Sequence, residues 1–287
     1  KTIGYAGTKD RHAVTEQYIS IKGSNVRKLK DFKADRIEIE FLGFSNAPIC
    51  LGELDGNHFE VAVRNLDDES SSEALDNFER EPYIPNYFDE QRFSTNNCEA
   101  GRAIVKRDFK KAAELISKTN SDVSFYLKQN PTDFIGAIRR LPKKILLMYL
   151  HAYQSFLFNQ VLGEYIKANS DDYKEVDYSL GKFIFPRDLV DNTEVPIVGF
   201  DTDNRFSVSE YVDEIIEKEN ISRRSFIIRE LPELTCSGDI RDAFVDVDEF
   251  SYEFSDDDLN AGKKKCILKF KLQKGSYATI VVKGLFG

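Results

Sequence analysis

Tryptophan is absent from this 287-residue chain, methionine occurs once, and there are only three histidines and four cysteines. Cys50, Cys98, Cys236 and Cys266 are far apart and form no C-x-x-C pair, which argues against zinc ribbons and redox motifs. Such sparse thiols fit a reducing compartment, so a cytoplasmic protein is expected, or a nuclear one in a eukaryote. His12, His58 and His151 are equally scattered, so no histidine metal site is expected. No apolar run approaches the roughly 20 residues that a membrane-spanning helix requires. The phosphate-binding loop G-x-x-x-x-G-K-[ST] fails, because Gly7 is followed by Thr8 and Thr2 stands at the first glycine position. No G-x-S-x-G elbow is present. Asp256, Asp258 and Asn260 resemble the start of a calcium loop, but Ala261 and Ile267 occupy its glycine and glutamate positions. The run reads as a solvated acidic loop.

Positive charge is also short. Lys and Arg number 40 against 49 Asp and Glu, for a net charge of −9. A polycationic surface is excluded, and any nucleic-acid binding must use a local basic patch. Candidates are Lys106-Arg107, Lys110-Lys111, Arg139-Arg140 with Lys143-Lys144, Arg223-Arg224 and Lys263-Lys264-Lys265. Each alone reads as a solvated face. Together they could track phosphates.

The length suggests two domains, with one large domain as the alternative. Strand-like segments open the chain: the short, apolar-rich Tyr18–Lys22, then the alternating Arg36–Phe44 (Ile37, Ile39, Phe41) and His58–Arg64 (Phe59, Val61, Val63). A basic helix or turn surrounds Arg27–Lys30, and a polar break at 66–73 leads to a short helix ending at Arg80. The middle reads as helical: Glu99–Thr119, a helix capped at Asn130-Pro131-Thr132-Asp133, and a long helix over Leu141–Ala168. Ser207-Val208-Ser209-Glu210 matches a capping box that starts a helix to about Asn220. Strands are expected again at Ile267–Leu272 and Tyr277–Lys283. Strands at both ends of a helical middle suggest a discontinuous domain with an insertion, or two consecutive domains.

Four places carry candidate chemistry. Asp10 lies between Lys9 and Arg11 on the glycine-punctuated stretch Gly4–Gln17, with a strand expected to follow. The flanking cations favour an ionised carboxylate, which reads either as a turn residue or as a reactive group. Asn57 and Phe59 share strand parity and so face one side, as site residues or as a turn residue and a core residue. Asn86-Tyr87-Phe88-Asp89-Glu90-Gln91-Arg92-Phe93 mixes amides, aromatics and a cation, a set that can stack on bases and hold phosphate or simply pack a domain junction. His151 and Gln154 are three apart on the long helix and are therefore neighbours. Asp10 and Glu16 share parity too, which leaves a paired-carboxylate hydrolase open.

Taken in order, Gly4–Gln17, Leu51-Gly52, Gly56–Phe59, Pro85–Phe88, Gln91–Phe93, His151–Asn159, Leu231-Pro232, Gly238 and Lys274–Thr279 resemble the TruD family of tRNA pseudouridine synthases, in the version carried by archaeal and eukaryotic members. The resemblance implies an α+β fold. A pseudouridine synthase domain with a central, largely antiparallel sheet (1–80 and 245–287) is interrupted by a helix-rich TRUD domain (81–244). It implies isomerisation of uridine in RNA, with tRNA uridine 13 the expected target, and Asp10 as the catalytic aspartate. Lys9, Arg11, Asn57 and Phe59 would form the substrate-binding set, with Phe59 stacking on the base. Asn86, Phe88, Gln91, Arg92, His151 and Gln154 would contact RNA. No cofactor, metal or membrane is implied, and a monomer is expected. A non-catalytic RNA-binding module is the alternative. Family members carry a segment before Gly4 that supplies a basic site residue, so a longer parent protein is expected. Asp89 and Ser94 stand where glycines are usual, and Lys283-Gly284 replaces an arginine–glutamate pair.

Overall fold

The computed structural model describes residues 2–10, 13–67, 72–94 and 96–287. The chain divides into two compact units, Lys1–Asn57 and His58–Gly287.

The first unit is a hairpin and its surrounding loops. β1 (Thr2–Tyr5) pairs antiparallel with β2 (Ile19–Lys22), Gly4 opposite Ser20. α1 (Val26–Lys30) follows, capped by the Asn25 side chain, which accepts from the Arg27 N–H at 2.9 Å. Gly4 is there because nothing larger fits: a Cβ would lie 2.3 Å from the Ile49 carbonyl oxygen. The strand expected at Arg36–Phe44 does not form. A strand needs a ladder partner, and this stretch has only the isolated bridge Ala34–Ile37, beside Arg36 at φ 60°. Residues 13–18 form no strand either, so the parity argument joining Asp10 to Glu16 lapses.

The second unit begins with β3 (Gly56–Leu66), which crosses the division, then α2 (Ser72–Arg80) and β4 (Tyr83–Pro85). α3 (Asn97–Val105) and α4 (Phe109–Ser117) replace the single helix expected over 99–119. The chain turns at Arg107, φ 65°, and Asp108 restarts it by accepting from the Lys111 N–H at 3.0 Å. α5 (Ser121–Gln129) ends at Asn130. α6 (Phe134–Ile138) is capped by Asp133, not Asn130, through a 2.9 Å bond from the Gly136 N–H. An aspartate directly before the helix wins over an asparagine three residues earlier, because a cap side chain reaches only the second or third N–H.

α7 (Lys143–Asn169) is the centre of this unit. Every residue from Ala152 to Asn159 is buried, so the helix is enclosed on all sides there. The hairpin β5 (Tyr173–Tyr178) and β6 (Gly181–Pro186) and the strand β7 (Glu194–Ile197) come next, all within the stretch read as helical. α8 (Ser209–Lys218) starts without the expected capping box: Ser207 Oγ meets Thr193 Oγ1 at 2.7 Å instead. β8 (Asp239–Asp242) pairs with β7, and β9 (Phe244–Asp246) with β4.

β10 (Asp248–Asp256) and β11 (Lys264–Gln273) complete an antiparallel pair, and β3 lies on the other side of β11 in a three-stranded sheet. Cys266, Leu268, Phe270 and Leu272 turn inward at period two, and Phe59 packs on Phe270 with ring centroids 5.6 Å apart. The Tyr277–Lys283 strand is instead the helix α9 (Ala278–Phe286), which buries Ile280 and Val281. A short apolar run fits a strand or a buried helix equally well until its packing is known. The acidic run is only partly solvated: Asp257 is 6% exposed. Among the described residues, no helix is long and apolar enough to cross a membrane.

Candidate active site and RNA-facing residues

Asp10 sits in the loop that follows β1. That loop is held by local contacts. The Gly52 N–H donates to the Ala6 carbonyl at 2.8 Å, and the Ile49 N–H to Ser20 Oγ at 2.9 Å. Lys9 Nζ donates to Asn57 Oδ1 at 2.8 Å. The structure therefore joins Lys9 to Asn57, two of the expected substrate residues 48 positions apart. Asp10 is exposed and makes no hydrogen bond or ion pair among the described residues. It is a carboxylate presented to solvent beside an ordered lysine. Arg11 lies outside the described residues. In the second unit Phe59 is half-buried on β3 and packs against the core, its ring tilted 30° to that of Phe270.

The segment 86–93 is more inward than the RNA-contact reading requires. Asn86 and Phe88 are 3% and 8% exposed. Asn86 Nδ2 donates to the Asp242 carbonyl, and its Oδ1 accepts from Arg241 and Ser276. Phe88 is clamped by Asn159, whose Oδ1 accepts from the Phe88 N–H at 2.9 Å and whose Nδ2 donates to the Phe88 carbonyl at 2.8 Å. Gln154 likewise donates to the carbonyls of Val198 and Ser237, at 2.8 and 3.1 Å. Buried amides must be satisfied, and these three are satisfied by the protein. Asn86, Phe88 and Gln154 thus hold the fold, whereas Gln91 and His151 are exposed and Arg92 is half-exposed.

Arg241 was not visible as a site residue in the sequence. On β8 it donates to the Asn86 carbonyl at 2.8 Å, to Asn86 Oδ1 and to the Gly275 carbonyl at 2.9 Å, and its guanidinium lies 4.5 Å from the Phe88 ring centroid. One side chain so ties together two motif segments 189 residues apart, Asn86 and Gly275. Burial lowers its pKa to about 10, which still leaves it charged at neutral pH. An arginine in a short polar segment, Asp239-Ile240-Arg241-Asp242, gives no signal of this in the sequence. Arg92 is close to the same cluster: it bonds Ser155 Oγ at 3.3 Å and lies 5.8 Å from the Phe88 ring.

Much of the basic sequence is neutralised at home. Lys263, Lys264 and Lys265 pair with Asp67, Asp256 and Asp258; Lys106 pairs with Glu219, Lys111 with Glu99, Arg139 with Glu233 and Arg223 with Asp213. Lys110, Arg140, Lys143, Lys144 and Arg224 make no ion pair among the described residues, so part of the positive surface that survives lies at the start of α7.

The antiparallel sheets and intervening helices match a known architecture. The crystal structure assigned to tRNA pseudouridine synthase D (TruD) of Methanosarcina mazei superposes with a TM-score of 0.77 at 25% identity, covering 99% of this chain and 80% of that one. Fold and motif order define a pseudouridine synthase, an isomerase acting on RNA. The family model described as tRNA pseudouridine synthase D (TruD) matches residues 1–124, 117–179 and 190–285, and the chain belongs to this family. Among its relatives, the protein named "Probable tRNA pseudouridine synthase D" in Methanosarcina mazei is 28% identical over 352 residues, covering 99% of this chain and 80% of that protein. The tRNA pseudouridine synthase D of Aquifex aeolicus is 29% identical over 335 residues, covering 100% of this chain and 84% of that protein.

Proposed function

We propose that this enzyme converts uridine to pseudouridine in tRNA, at uridine 13, with Asp10 as its catalytic carboxylate. The observation that carries the role of Asp10 is its place: an exposed carboxylate with no partner among the described residues, next to Lys9, whose ammonium is fixed on Asn57 at 2.8 Å. The reaction breaks N1–C1′ and forms C5–C1′. The C5 proton leaves and N1 gains one, so the isomerisation balances without oxidant, reductant or energy source. A carboxylate near the ribose serves either route, attack at C1′ or removal of the 2′ proton. The target base must first leave its stack, and Phe59 offers it an aromatic face. Residues 1–80 and 245–287 are read as the catalytic domain and 81–244 as the TRUD insertion.

The test is tritium release from C5-labelled uridine in tRNA, paired with site-resolved mapping of the product. Wild type should release tritium with the product at position 13, and Asp10→Ala should lower the rate by at least 10³-fold. Full activity of Asp10→Ala would overturn the assignment of the aspartate. Product at another uridine would overturn the target.

A further inference from the structure

A cavity of about 320 Å³ opens between α3, α4 and α7, lined by Gln91, Ser94, Asn96, Asn97, Thr119 and Met148 among others. The carboxamides of Gln91, Asn96 and Asn97 make no hydrogen bond among the described residues and are open to solvent, whereas the buried amides of Asn86, Gln154 and Asn159 are bonded within the protein. A carboxamide presents a donor and an acceptor side by side, which is what the edge of a nucleobase offers in return. Met148, 36% exposed, and the half-buried Leu115 supply apolar faces against which a flat ring can lie.

Cations adjoin the lining residues along the chain: Arg92 follows Gln91, and Lys144 stands one helical turn before Met148. Lys144, Met148, His151 and Ser155 recur at helical spacing on one face of α7, a stripe of roughly 17 Å at 1.5 Å per residue. Arg92 reaches that stripe through its bond to Ser155 and lies near enough to His151 to help lower the imidazole pKa, after the partial enclosure of the ring. Both effects disfavour the imidazolium, so the positive charge here is carried by Arg92 and Lys144. Among the described residues Arg92 donates only from Nε, to a serine, and pairs with no carboxylate. The acids nearest in sequence are engaged elsewhere: Asp89 and Glu90 with Lys283, Glu99 with Arg102 and Lys111. On a chain of net charge −9, two cations that pair with no acid among the described residues, beside amides open to solvent, are the kind of local patch RNA binding requires.

We propose that this cavity receives an unstacked base of the substrate RNA, away from the base that reacts, while Arg92 holds the adjoining backbone phosphate and Lys144 a phosphate further along α7. The inference rests on the reading of the protein as an RNA-modifying enzyme. It adds a second anchoring point, on the insertion, to the one at Asp10.

The test measures binding of transcribed tRNA by fluorescence anisotropy across a salt series, for wild type, Arg92→Ala, Lys144→Ala and Asn97→Leu, each checked for an unchanged thermal midpoint. Arg92→Ala should raise Kd about tenfold and lower the slope of log K against log salt by about one. Lys144→Ala should do the same more weakly. Being exposed and unpaired, it tests the idea even where Arg92→Ala disturbs Ser155. Asn97→Leu should raise Kd about fivefold and leave the salt slope unchanged, because it removes a base contact and no phosphate contact. Wild-type Kd and slope in all three variants would overturn the proposal. Arg92-dependent tRNA binding in a protein that forms no pseudouridine would uphold it and sink the functional reading instead.

Discussion

Lys283 Nζ donates to Asp89 Oδ1 at 2.9 Å, and so fastens α9 to the segment that carries Gln91 and Arg92. The same ammonium reaches Glu90 Oε2 at 2.9 Å and lies 5.1 Å from the Phe183 ring. In the sequence, Asp89 and Lys283 are two unrelated departures from the family pattern, 194 residues apart. In the fold they are one contact. Burial opposes the lysine's charge, but the bonds to Glu90 and Asp89 outweigh it and raise its pKa.

Removing one side of this pair leaves the other charge buried without its partner. The Asp89 side chain is 4% exposed, so Lys283→Met should destabilise by about 2–3 kcal/mol. Asp89→Gly should cost a similar amount, and the double variant clearly less than the sum, with a coupling of about 1–2 kcal/mol. Urea denaturation of the four proteins measures this. Additive losses would show that the two side chains do not depend on each other.

Ser94 illustrates a departure that costs stability. Its φ is 47°, in the left-handed region that glycine enters freely and a serine does not. Ser94→Gly should stabilise by up to about 1 kcal/mol, the strain relieved exceeding the entropy that glycine adds to the unfolded chain. A thermal midpoint that falls on this substitution would contradict it.

The helix crossing behind the cavity is set by a glycine. A Cβ on Gly101 would lie 2.0 Å from the Tyr149 carbonyl oxygen and 2.7 Å from its carbon, both backbone atoms of α7 that cannot swing aside. Gly101→Ala should therefore force α3 off α7 and cost about 2–3 kcal/mol. A change below about 0.5 kcal/mol in chemical denaturation would rule out so close a crossing.

Parts of this were legible in advance, and the dividing line is physical. β3 and β11 alternate over long stretches, α8 carries a helical apolar stripe and α7 is a long apolar run, and such patterns survive into structure. The ordered motifs gave the family and the fold. What the sequence could not show depends on contacts distant along the chain. Residues 36–44 alternate like a strand, but no partner comes alongside. α9 and a buried strand share one apolar pattern. Asn86, Phe88 and Gln154 have the right chemistry for RNA, yet Arg241, Asn159 and the carbonyls of Val198 and Ser237 claim them. The solvent-open amides of Asn96 and Asn97 look no different in the sequence from the buried ones.

Asp257 makes stability depend on acid. Burial of its side chain opposes ionisation. Bonds from Asn260 Nδ2 at 2.8 Å, the N–H groups of Asn65 and Leu259 at 2.9 and 3.0 Å, and Arg64 at 2.6 Å overcome that and hold the carboxyl far below its ordinary range. A depressed pKa contributes stability that is complete above the unfolded value of about 3.9 and is lost as pH falls through the folded one. Asp257→Asn should lower the urea midpoint at pH 7, and the gap to wild type should narrow by pH 3. A gap of equal size at both pH values would mean that the carboxylate's charge is not what the loop between β10 and β11 uses.

Lys9 and Asn57 should act as a unit in catalysis. Asn57 Oδ1 accepts from Lys9 Nζ at 2.8 Å, so either side chain alone loses the partner that fixes its position next to Asp10 in the chain. Asn57→Ala should reduce kcat/KM for pseudouridine formation by about 10–100-fold, Lys9→Ala by at least as much, and the double variant by little more than the worse single one, because residues that work together lose their effect together. Asn57→Leu, which keeps the bulk and removes the acceptor, should match Asn57→Ala, whereas Asn57→Asp keeps an acceptor for the ammonium and should retain more activity than either. Full activity in Asn57→Leu would show that the amide is a strand residue only, and that Lys9 needs no help to stand where it does.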